Sequence, residues 1–479
     1  MNTAQDNSGT EDLRRALQEL GKRLVGSVIE PQDPLYDEAR AVWNGMIDRR
    51  PRAVIRAGAV QDIAPVLEVA RNTGLALAVR GGGHSIAGHG TVEDGLVLDL
   101  GVLRSVEVDV ERRLVTVAPG ARLSDVDRAT TAHGLVVPLG EVSMTGVAGL
   151  TLGGGVGWLT RTHGLSLDNL VAADLVTARG EHLHASEQEN PELFWGLRGG
   201  GGNFGVVSSF TFRAHPLPAE VLCANLFYRP ARWRDALRAF DRWAQELPEE
   251  MNAGITFIVL PPELGVGRQP WMVLGCVWAS EDHDAGRGLI ERLRSAVAPD
   301  AEETAPTSWT VWQSAMDEML PPGSRSYLKN QPITGLDETA REVLVDVASD
   351  MTWFGTAINI YTMGGAFGRI PDDATAFPDR SAKYWVEITG FWTDPAEDQR
   401  LSAFARTAHA RLQPFAAAGQ YVNFIGEPLA GAEETAETAR RAYGLVKYER
   451  LVALKNRYDP ENLFRLNHNV IPVNAGTPS

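Results

Sequence analysis

Cysteine is scarce in this chain of 479 residues, with Cys223 and Cys276 as its two instances. Two cysteines are too few for the disulfide framework of a small secreted scaffold, and free thiols are ordinary in a reducing compartment. Long apolar runs are lacking too: no stretch reaches about 18 apolar residues, and the polar N-terminus has no apolar core of a signal peptide. We therefore expect a cytoplasmic protein with no membrane partner.

Positive charge is also in short supply. Lys and Arg number 45 against 61 Asp and Glu, which gives a formal net charge of -16. Nucleic acid is therefore excluded as an expected partner, because it binds basic surfaces. The length predicts two or three domains, and a hydrophobic content of 44% is sufficient to fill their cores.

Glycine, by contrast, is concentrated in loops. The first loop, residues 80–88, reads Arg-Gly-Gly-Gly-His-Ser-Ile-Ala-Gly and follows a predicted strand over residues 75–79. Consecutive glycines let a backbone turn tightly and point its amides at an anion, and His84 places a nucleophilic imidazole at the exit of the turn. This combination suits a flavin.

Two more glycine clusters follow. Residues 146–157 contain six glycines, too many for a helix interior, where each costs about 1 kcal/mol relative to alanine. Residues 198–205 contain five, and an alternating strand is predicted directly after them. No G-x-G-x-x-G motif opens a strand-to-helix unit, so the pattern argues against a dinucleotide-binding Rossmann fold.

These loops, the segments 161–170 and 194–198, and a C-terminal series over 421–424, 448–464 and 467–469 resemble the vanillyl-alcohol oxidase superfamily, in particular its berberine-bridge-enzyme-like flavin oxidases. The resemblance implies an α+β fold. Its expected parts are an N-terminal helical segment over 1–45, a PCMH-type FAD-binding domain of two subdomains over 46–215, a substrate-binding domain with an antiparallel sheet over 216–420, and a C-terminal segment over 421–479 that returns to the FAD domain.

The resemblance also implies that FAD is bonded covalently, through its 8α-carbon, to His84. Many members of the family carry a second bond from a cysteine, but Val142 stands at that place here, so a single histidyl linkage is predicted. No metal is expected. The other cofactor-binding residues that the resemblance implies are Arg80, Gly81, Gly82, Gly83, Ser85, Gly88, Val142, Ser143, Gly146, Gly149, Leu150, Gly153, Gly155, Trp158, Asn169, Gly202, Val207, Asn467 and Asn469.

Thr145 falls at the family's gatekeeper position, which controls the access of O2 to the flavin. A valine there goes with oxidases in this family, and bulkier residues go with dehydrogenases. Threonine has the shape and volume of valine, so an oxidase is predicted. A dehydrogenase or internal redox catalyst that reacts slowly with O2 stays open, as does a flavin-bearing protein that binds a metabolite without turning it over.

The catalytic base is left open between Tyr361 and Glu387, with His163 a more remote choice. Family members that oxidise sugars or alkaloids often have a tyrosine where Phe424 stands, which serves as the base or assists it. Its loss here favours small amines and phenolic natural products over sugars and plain alcohols. A neutral amine or an ionised phenol would need no base. By resemblance, Asn423 lies near the flavin, where it could form a hydrogen bond to the substrate.

The middle segment provides the substrate domain. Strands are predicted over 255–260, 271–278, 357–362 and 384–392, with helices over 233–247, 281–297 and 338–348. A small or polycyclic alcohol, phenol or amine is the expected substrate, with O2 as the second partner and a monomer or homodimer as the assembly. A wider group of pocket candidates consists of Trp278, Trp353, Asn359, Tyr361, Tyr384, Glu387, Thr389 and Trp392.

Overall fold

A computed structural model describes residues 3–261, 265, 267–351, 353–426 and 432–473 of the chain. It confirms the α+β class, with mainly antiparallel sheets and helices on their outer faces. The expected C-terminal segment is thus described except for 427–431 and 474–479, which lie outside these residues, as do the first two residues of the N-terminal segment. None of the described helices is both long and apolar enough to cross a bilayer.

The first subdomain is built on a four-stranded sheet in the order β1-β2-β4-β3. The strands β2, β4 and β3 are parallel, and β1 pairs antiparallel with β2. All four residues of β4 are buried, as expected for a parallel strand covered on both faces. Its elements are α1 (Thr3–Arg23), β1 (Ser27–Ile29), α2 (Tyr36–Arg40), β2 (Ala53–Arg56), α3 (Ile63–Thr73), β3 (Leu77–Arg80) and β4 (Leu96–Asp99).

The second subdomain has an antiparallel five-stranded sheet in the order β5-β6-β10-β8-β9. Val115 and Val117 of β6 are fully buried while Thr116 between them is exposed, so this sheet has one buried face. Its elements are β5 (Val106–Asp109), β6 (Leu114–Val117), α4 (Leu123–Thr131), β7 (Leu135–Val136), α5 (Val147–Gly153), α6 (Thr160–His163), β8 (Leu170–Val176), β9 (His182–Ser186), α7 (Pro191–Leu197), β10 (Val206–Arg213) and β11 (His215–Pro216).

Helix α5 corrects one expectation, because the glycine content of residues 146–157 argued against a helix there. The helix forms, with Gly149 inside it and Gly153 at its end. A Cβ on Gly153 would lie 2.3 Å from Oδ1 of Asn423, so a contact distant in sequence accounts for that glycine. Local propensity was overridden by packing.

The segment expected to form the substrate domain contains an antiparallel seven-stranded sheet in the order β15-β12-β14-β13-β17-β18-β16, which we call the substrate sheet. The four predicted strands and three predicted helices are all present, and three further strands join them. The edge strand β15 is almost wholly exposed and lacks apolar alternation, which explains why sequence pattern missed it. The elements are β12 (Val221–Tyr228), α8 (Trp233–Ala244), β13 (Met251–Val259), β14 (Pro270–Trp278), α9 (His283–Ala296), β15 (Ala301–Thr307), α10 (Trp309–Gln313), β16 (Arg325–Ile333), α11 (Glu338–Ser349), β17 (Thr356–Thr362), α12 (Ala366–Arg369), β18 (Tyr384–Trp392) and α13 (Asp398–Leu412).

The two faces of this sheet differ in character. One face forms a large apolar core with the helices, to which Tyr384, Val386 and Ile388 of β18 contribute. Glu387 and Thr389 alternate with them and therefore point to the opposite face. That opposite face lines the cavity described below.

The C-terminal segment contains α14 (Ala432–Tyr443) and α15 (Leu445–Tyr458), which packs on α7 of the second subdomain. A completely buried ion pair of Lys455 and Asp459, 2.7 Å apart, anchors it. The Lys455 ammonium also donates to the carbonyls of Asn203 and Phe464, and the Asp459 carboxylate accepts the amides of Leu463 and Phe464. Such hydrogen bonds offset the cost of burying both charges. They also connect the third glycine loop, through the carbonyl of Asn203, to the C-terminal segment.

The first and second glycine loops cross each other at Gly82 and Gly146. A Cβ on Gly82 would lie 2.5 Å from both the nitrogen and the Cα of Gly146, and a Cβ on Gly146 would lie 2.5 Å from the nitrogen of Gly82. The obstacle is backbone on both sides, which cannot move aside like a side chain. Each position therefore requires glycine because of space.

We predict that Gly82→Ala destabilises the protein, because its methyl group forces the two loops apart; overpacking of this kind costs about 1–3 kcal/mol or more. Thermal unfolding of the purified protein measures the effect. The matched control is Gly288→Ala on the exposed face of α9, where a Cβ meets no atom within 4 Å. The control should be unchanged or slightly more stable. Equal melting temperatures for Gly82→Ala and the wild type would contradict the crossing as a constraint.

Candidate active site

A cavity of about 750 Å³ separates the glycine loops from the substrate sheet. All four residues predicted to take part in catalysis, Thr145, Tyr361, Glu387 and Asn423, line it. The residues predicted to bind the cofactor that also line it are Arg80, Gly81, Gly82, Gly83, His84, Ser85, Val142, Gly146, Gly149, Leu150, Trp158, Gly202, Val207 and Asn467.

Six predicted cofactor-binding residues do not line the cavity: Gly88, Ser143, Gly153, Gly155, Asn169 and Asn469. Ser143 is bonded through its hydroxyl and its amide to the carboxylate of Asp317. Asn169 donates to the carbonyls of His163 and Leu165. These two side chains hold loops together behind the cavity.

Tertiary contacts or backbone conformation explain why the positions of this group that hold glycine do so. Gly88 and Gly155 adopt φ of 76° and 88°, the left-handed region that favours glycine. A Cβ on Gly155 would lie 2.1 Å from the hydroxyl oxygen of Ser166. The fold therefore requires glycine at these two positions, as it does at Gly153 beside Asn423. Asn469, the last of the six, is buried, and its Oδ1 has no hydrogen-bond partner among the described residues.

The wider group of pocket candidates divides by face of the sheet. Asn359, Tyr361, Glu387 and Thr389 line the cavity. The aromatic residues of the group, Trp278, Tyr384 and Trp392, belong to the apolar core under the helices, and Trp353 packs against that core. The alternation of strands explains the division, because neighbouring residues point to opposite faces.

The first glycine loop offers its backbone to the cavity. Among the described residues, no protein acceptor binds the amides of Gly82, Gly83, His84 or Ser85. Arg80 is fixed below the loop by an ion pair with Asp99 at 3.0 Å and by hydrogen bonds to the carbonyls of Ala39 and Ala41. Amides that converge without a partner form a ready site for an anion such as a pyrophosphate.

His84 lies at the end of this loop, stacked on Trp43 with 4.6 Å between the ring centroids. Its Nε2 is buried and has no hydrogen-bond partner among the described residues. Burial lowers the pKa of His84 to about 4. The imidazole is therefore neutral at pH 7, the state in which it acts as a nucleophile.

These residues fit FAD. The unpartnered amides would hold the pyrophosphate. The buried Nε2 of His84, which has no hydrogen-bond partner, suits attachment to the flavin ring in a site that excludes water. Asn467 adds a further buried acceptor, since its Oδ1 has no partner while its amide donates to the carbonyls of Gly202 and Phe464. Unpaired polar groups in a buried site are typical of a site that binds a polar ligand.

The substrate sheet presents a row of polar side chains across three strands. Thr256 of β13, Asn359 of β17 and Glu387 of β18 are register partners. The Thr256 hydroxyl donates to Oδ1 of Asn359 at 2.9 Å, and the Asn359 amide donates to Oε2 of Glu387 at 3.0 Å. Tyr361 donates to the same Oε2 at 2.7 Å, which leaves Oε1 outside these bonds.

Burial raises the pKa of Glu387 above its ordinary value. The pKa of Tyr361 rises even further, through burial and the charges of Glu387 and Glu141. Between the two sequence candidates for the base, the phenol therefore stays protonated at pH 7 and acts as a donor. Glu387 is the group that can accept a proton.

Sequence reasoning missed Glu141, which lines the cavity next to Val142 and interacts with the Tyr361 hydroxyl. Burial, followed by the charge of Glu387, raises the pKa of Glu141 to about 8. Its position immediately before the residue that replaces the second flavin-linking cysteine was the available signal. Asn359 was named only within the wider pocket group.

Two further candidates have structural partners. Asn423 donates to the carbonyls of Gly149 and Leu150 at the end of α5, and its amide also donates to the Tyr421 hydroxyl. Only its Oδ1 stays outside these bonds. His163, the remote choice for the base, stacks on His215 at 3.9 Å and is absent from the cavity lining.

Comparison with known proteins agrees with this geometry. Residues 51–186 match the family model of an FAD-binding domain, and residues 420–471 match the model described as berberine and berberine like. The chain is 30% identical over 510 residues to the FAD-linked oxidoreductase pgmH of Aspergillus terreus, with 98% of both chains covered. It is 29% identical over 460 residues to (R)-6-hydroxynicotine oxidase of Paenarthrobacter nicotinovorans, covering 94% of this chain and 97% of the relative.

A solved structure, that of 6-hydroxy-D-nicotine oxidase from Arthrobacter nicotinovorans, superposes with a TM-score of 0.84 at 27% identity, covering 93% of this chain and 98% of the other. The relatives and the cavity thus lead to the same assignment. The chain belongs to the berberine-bridge-enzyme-like family and is an FAD-dependent oxidoreductase.

Proposed function

We propose that the protein is an oxidase whose FAD is attached through His84 alone and which oxidises a small or polycyclic alcohol, phenol or amine. The observation that carries the proposal is the pairing, in one cavity, of a neutral imidazole whose Nε2 is unpartnered with a buried carboxylate that can take a proton. The relative that bears the name (R)-6-hydroxynicotine oxidase supports the oxidase half of the proposal.

Bound FAD would supply the acceptor for a hydride from the substrate carbon and a route for the electron pair to O2. Glu387 takes the proton from the hydroxyl or amino group of the substrate, through the oxygen left outside its bonds with Tyr361 and Asn359. Those two donors fix the carboxylate, and Thr256 in turn fixes Asn359. A base held in this way loses little entropy on the way to the transition state.

The space for O2 is attributed to Thr145. It lines the cavity, and its amide donates to the carbonyl of Val142 at 3.0 Å, so a tight turn sets its direction. A threonine of valine size leaves more room than the leucine or isoleucine of slow-reacting proteins.

The covalent attachment is tested with His84→Ala. Acid-denatured wild-type protein should stay yellow and show a flavin-sized mass increment, and the variant should lose its colour to the supernatant, because the imidazole at the end of the first glycine loop is the single proposed point of attachment. His133→Ala, an exposed histidine beyond α4, is the matched control and should keep its colour. Colour retained by His84→Ala after denaturation would place the attachment elsewhere.

The base is tested with Glu387→Gln in anaerobic mixing of the holoprotein with a panel of alcohols, phenols and amines. We expect bleaching of the flavin absorbance to slow by about 10²–10⁴-fold, the usual contribution of a general base. Because burial raises the pKa of Glu387, the wild-type rate should fall as the pH drops through that raised value. The rate of the variant should not show this decrease at low pH. Unchanged bleaching in the variant would exclude Glu387.

The reaction with O2 is tested separately, with holoprotein reduced by dithionite and then mixed with oxygenated buffer. Wild-type protein should regain its yellow colour rapidly. Thr145→Leu should regain it roughly tenfold more slowly, equivalent to a barrier higher by about 1.4 kcal/mol, while its anaerobic bleaching is unaffected. Slow reoxidation of the wild-type protein would favour a dehydrogenase, and no bleaching by any compound of the panel would favour a metabolite binder.

A further inference from the structure

Glu141 and Glu387 share one partner. The Tyr361 hydroxyl donates to Glu387 at 2.7 Å and interacts with the Glu141 carboxyl as well. A hydroxyl has a single proton, so it can donate to one of the two carboxyls only. The other must bring a proton of its own or meet a positive charge from elsewhere, because two bare carboxylates this close in a buried site repel each other strongly.

The protein does not provide that positive charge within the described lining of the cavity. Arg80 is the one Lys or Arg there, and it is bound to Asp99 and to two backbone carbonyls. Three histidines also line the cavity, but burial lowers the pKa of His84 and of His468 to about 4, and lowers that of His89 as well. All three are neutral at pH 7.

The remaining polar side chains of the substrate sheet carry no charge. They are Asn225, Asn252, Thr256, Asn359, Thr362 and Thr389. The substrate side of the cavity therefore combines two carboxyls with neutral amides and hydroxyls, a composition that suits a cation.

Thr389 gives an independent sign of a ligand. It is 2% exposed and lies two residues beyond Glu387 on the same face of β18, and its hydroxyl oxygen has no hydrogen-bond partner among the described residues. A buried hydroxyl without a partner costs free energy unless something polar completes it. Its place on the cavity wall means that a polar ligand beside Glu387 could do so.

We propose that Glu141 and Glu387 together bind the protonated nitrogen of an amine, so that the substrate class of this oxidase is a cationic amine. The inference rests on the proposed function. The ammonium group donates its N–H bonds to the two carboxylates, and one N–H proton then passes to Glu387. The nitrogen lone pair pushes a hydride from the adjacent carbon to FAD, which leaves an iminium ion, and O2 takes up the electron pair together with two protons as hydrogen peroxide.

The charge requirement is tested with two probes of equal shape, 2-phenylpropan-2-amine and 2-phenylpropan-2-ol. The carbon that bears the nitrogen or oxygen has no hydrogen in either probe, so neither can be oxidised there. Calorimetric titration of the FAD-loaded protein at pH 7.5 measures binding. We expect the amine to bind about tenfold or more tightly than the alcohol, as a charge-assisted contact requires.

Glu141→Gln should remove most of this preference by weakening the amine alone, while the affinity for the alcohol stays unchanged. Glu141→Asp should restore part of the amine affinity. The matched control is Glu107→Gln on the exposed strand β5, which should bind both probes as the wild type does. Equal affinities of the two probes for the wild type, no binding of the amine, or an undiminished preference in Glu141→Gln would each overturn the proposal.

These results are separable from those of the proposed function. The probes are not oxidised, and the reoxidation of dithionite-reduced protein needs no substrate. A protein that reacts rapidly with O2 yet binds both probes equally is an oxidase of neutral substrates. A protein that prefers the amine yet reacts slowly with O2 is an amine dehydrogenase.

Discussion

The contact of two backbones at Gly82 and Gly146 is the constraint on which the site depends. A side chain at either glycine would meet the other loop at 2.5 Å, so the first loop can lie where its free amides face the cavity only if both positions lack a Cβ. That crossing brings His84 from one subdomain and Val142 and Thr145 from the other to the same wall. The cofactor site is thus a consequence of close packing between loops.

The opposite wall depends on the alternation of β-strands. Asn359 and Tyr361 of β17 and Glu387 and Thr389 of β18 line the cavity, while Ile358, Val386 and Ile388 pack into the core under the helices, so one sheet carries both an apolar core and a polar row. The strand register then places Glu387 beside Asn359. Removal from water raises the pKa of Glu387, which makes its carboxylate a better proton acceptor than an exposed one.

The C-terminal segment packs between the two walls of the cavity, the glycine loops and the substrate sheet. The buried Lys455–Asp459 pair holds the third glycine loop against the chain's end, and Asn423 closes the end of α5. Residues that match the family's functional motifs therefore also stabilise the fold of this protein. Ser143 and Asn169 show the same distinction, since their motif places suggested cofactor contact and their hydrogen bonds go to Asp317 and to backbone carbonyls.

The sequence alone determined the FAD-binding class and the α+β architecture, because its glycine loops and its C-terminal series resemble those of one family of flavin oxidases; the role of His84 stays a prediction. Tertiary structure decided the features that depend on contacts between residues far apart in the sequence. It shows that α5 forms despite its glycines, and that Tyr361 donates to Glu387. It also brings Glu141, some 220 residues away along the chain, to the same hydroxyl, and no local pattern reports such a contact.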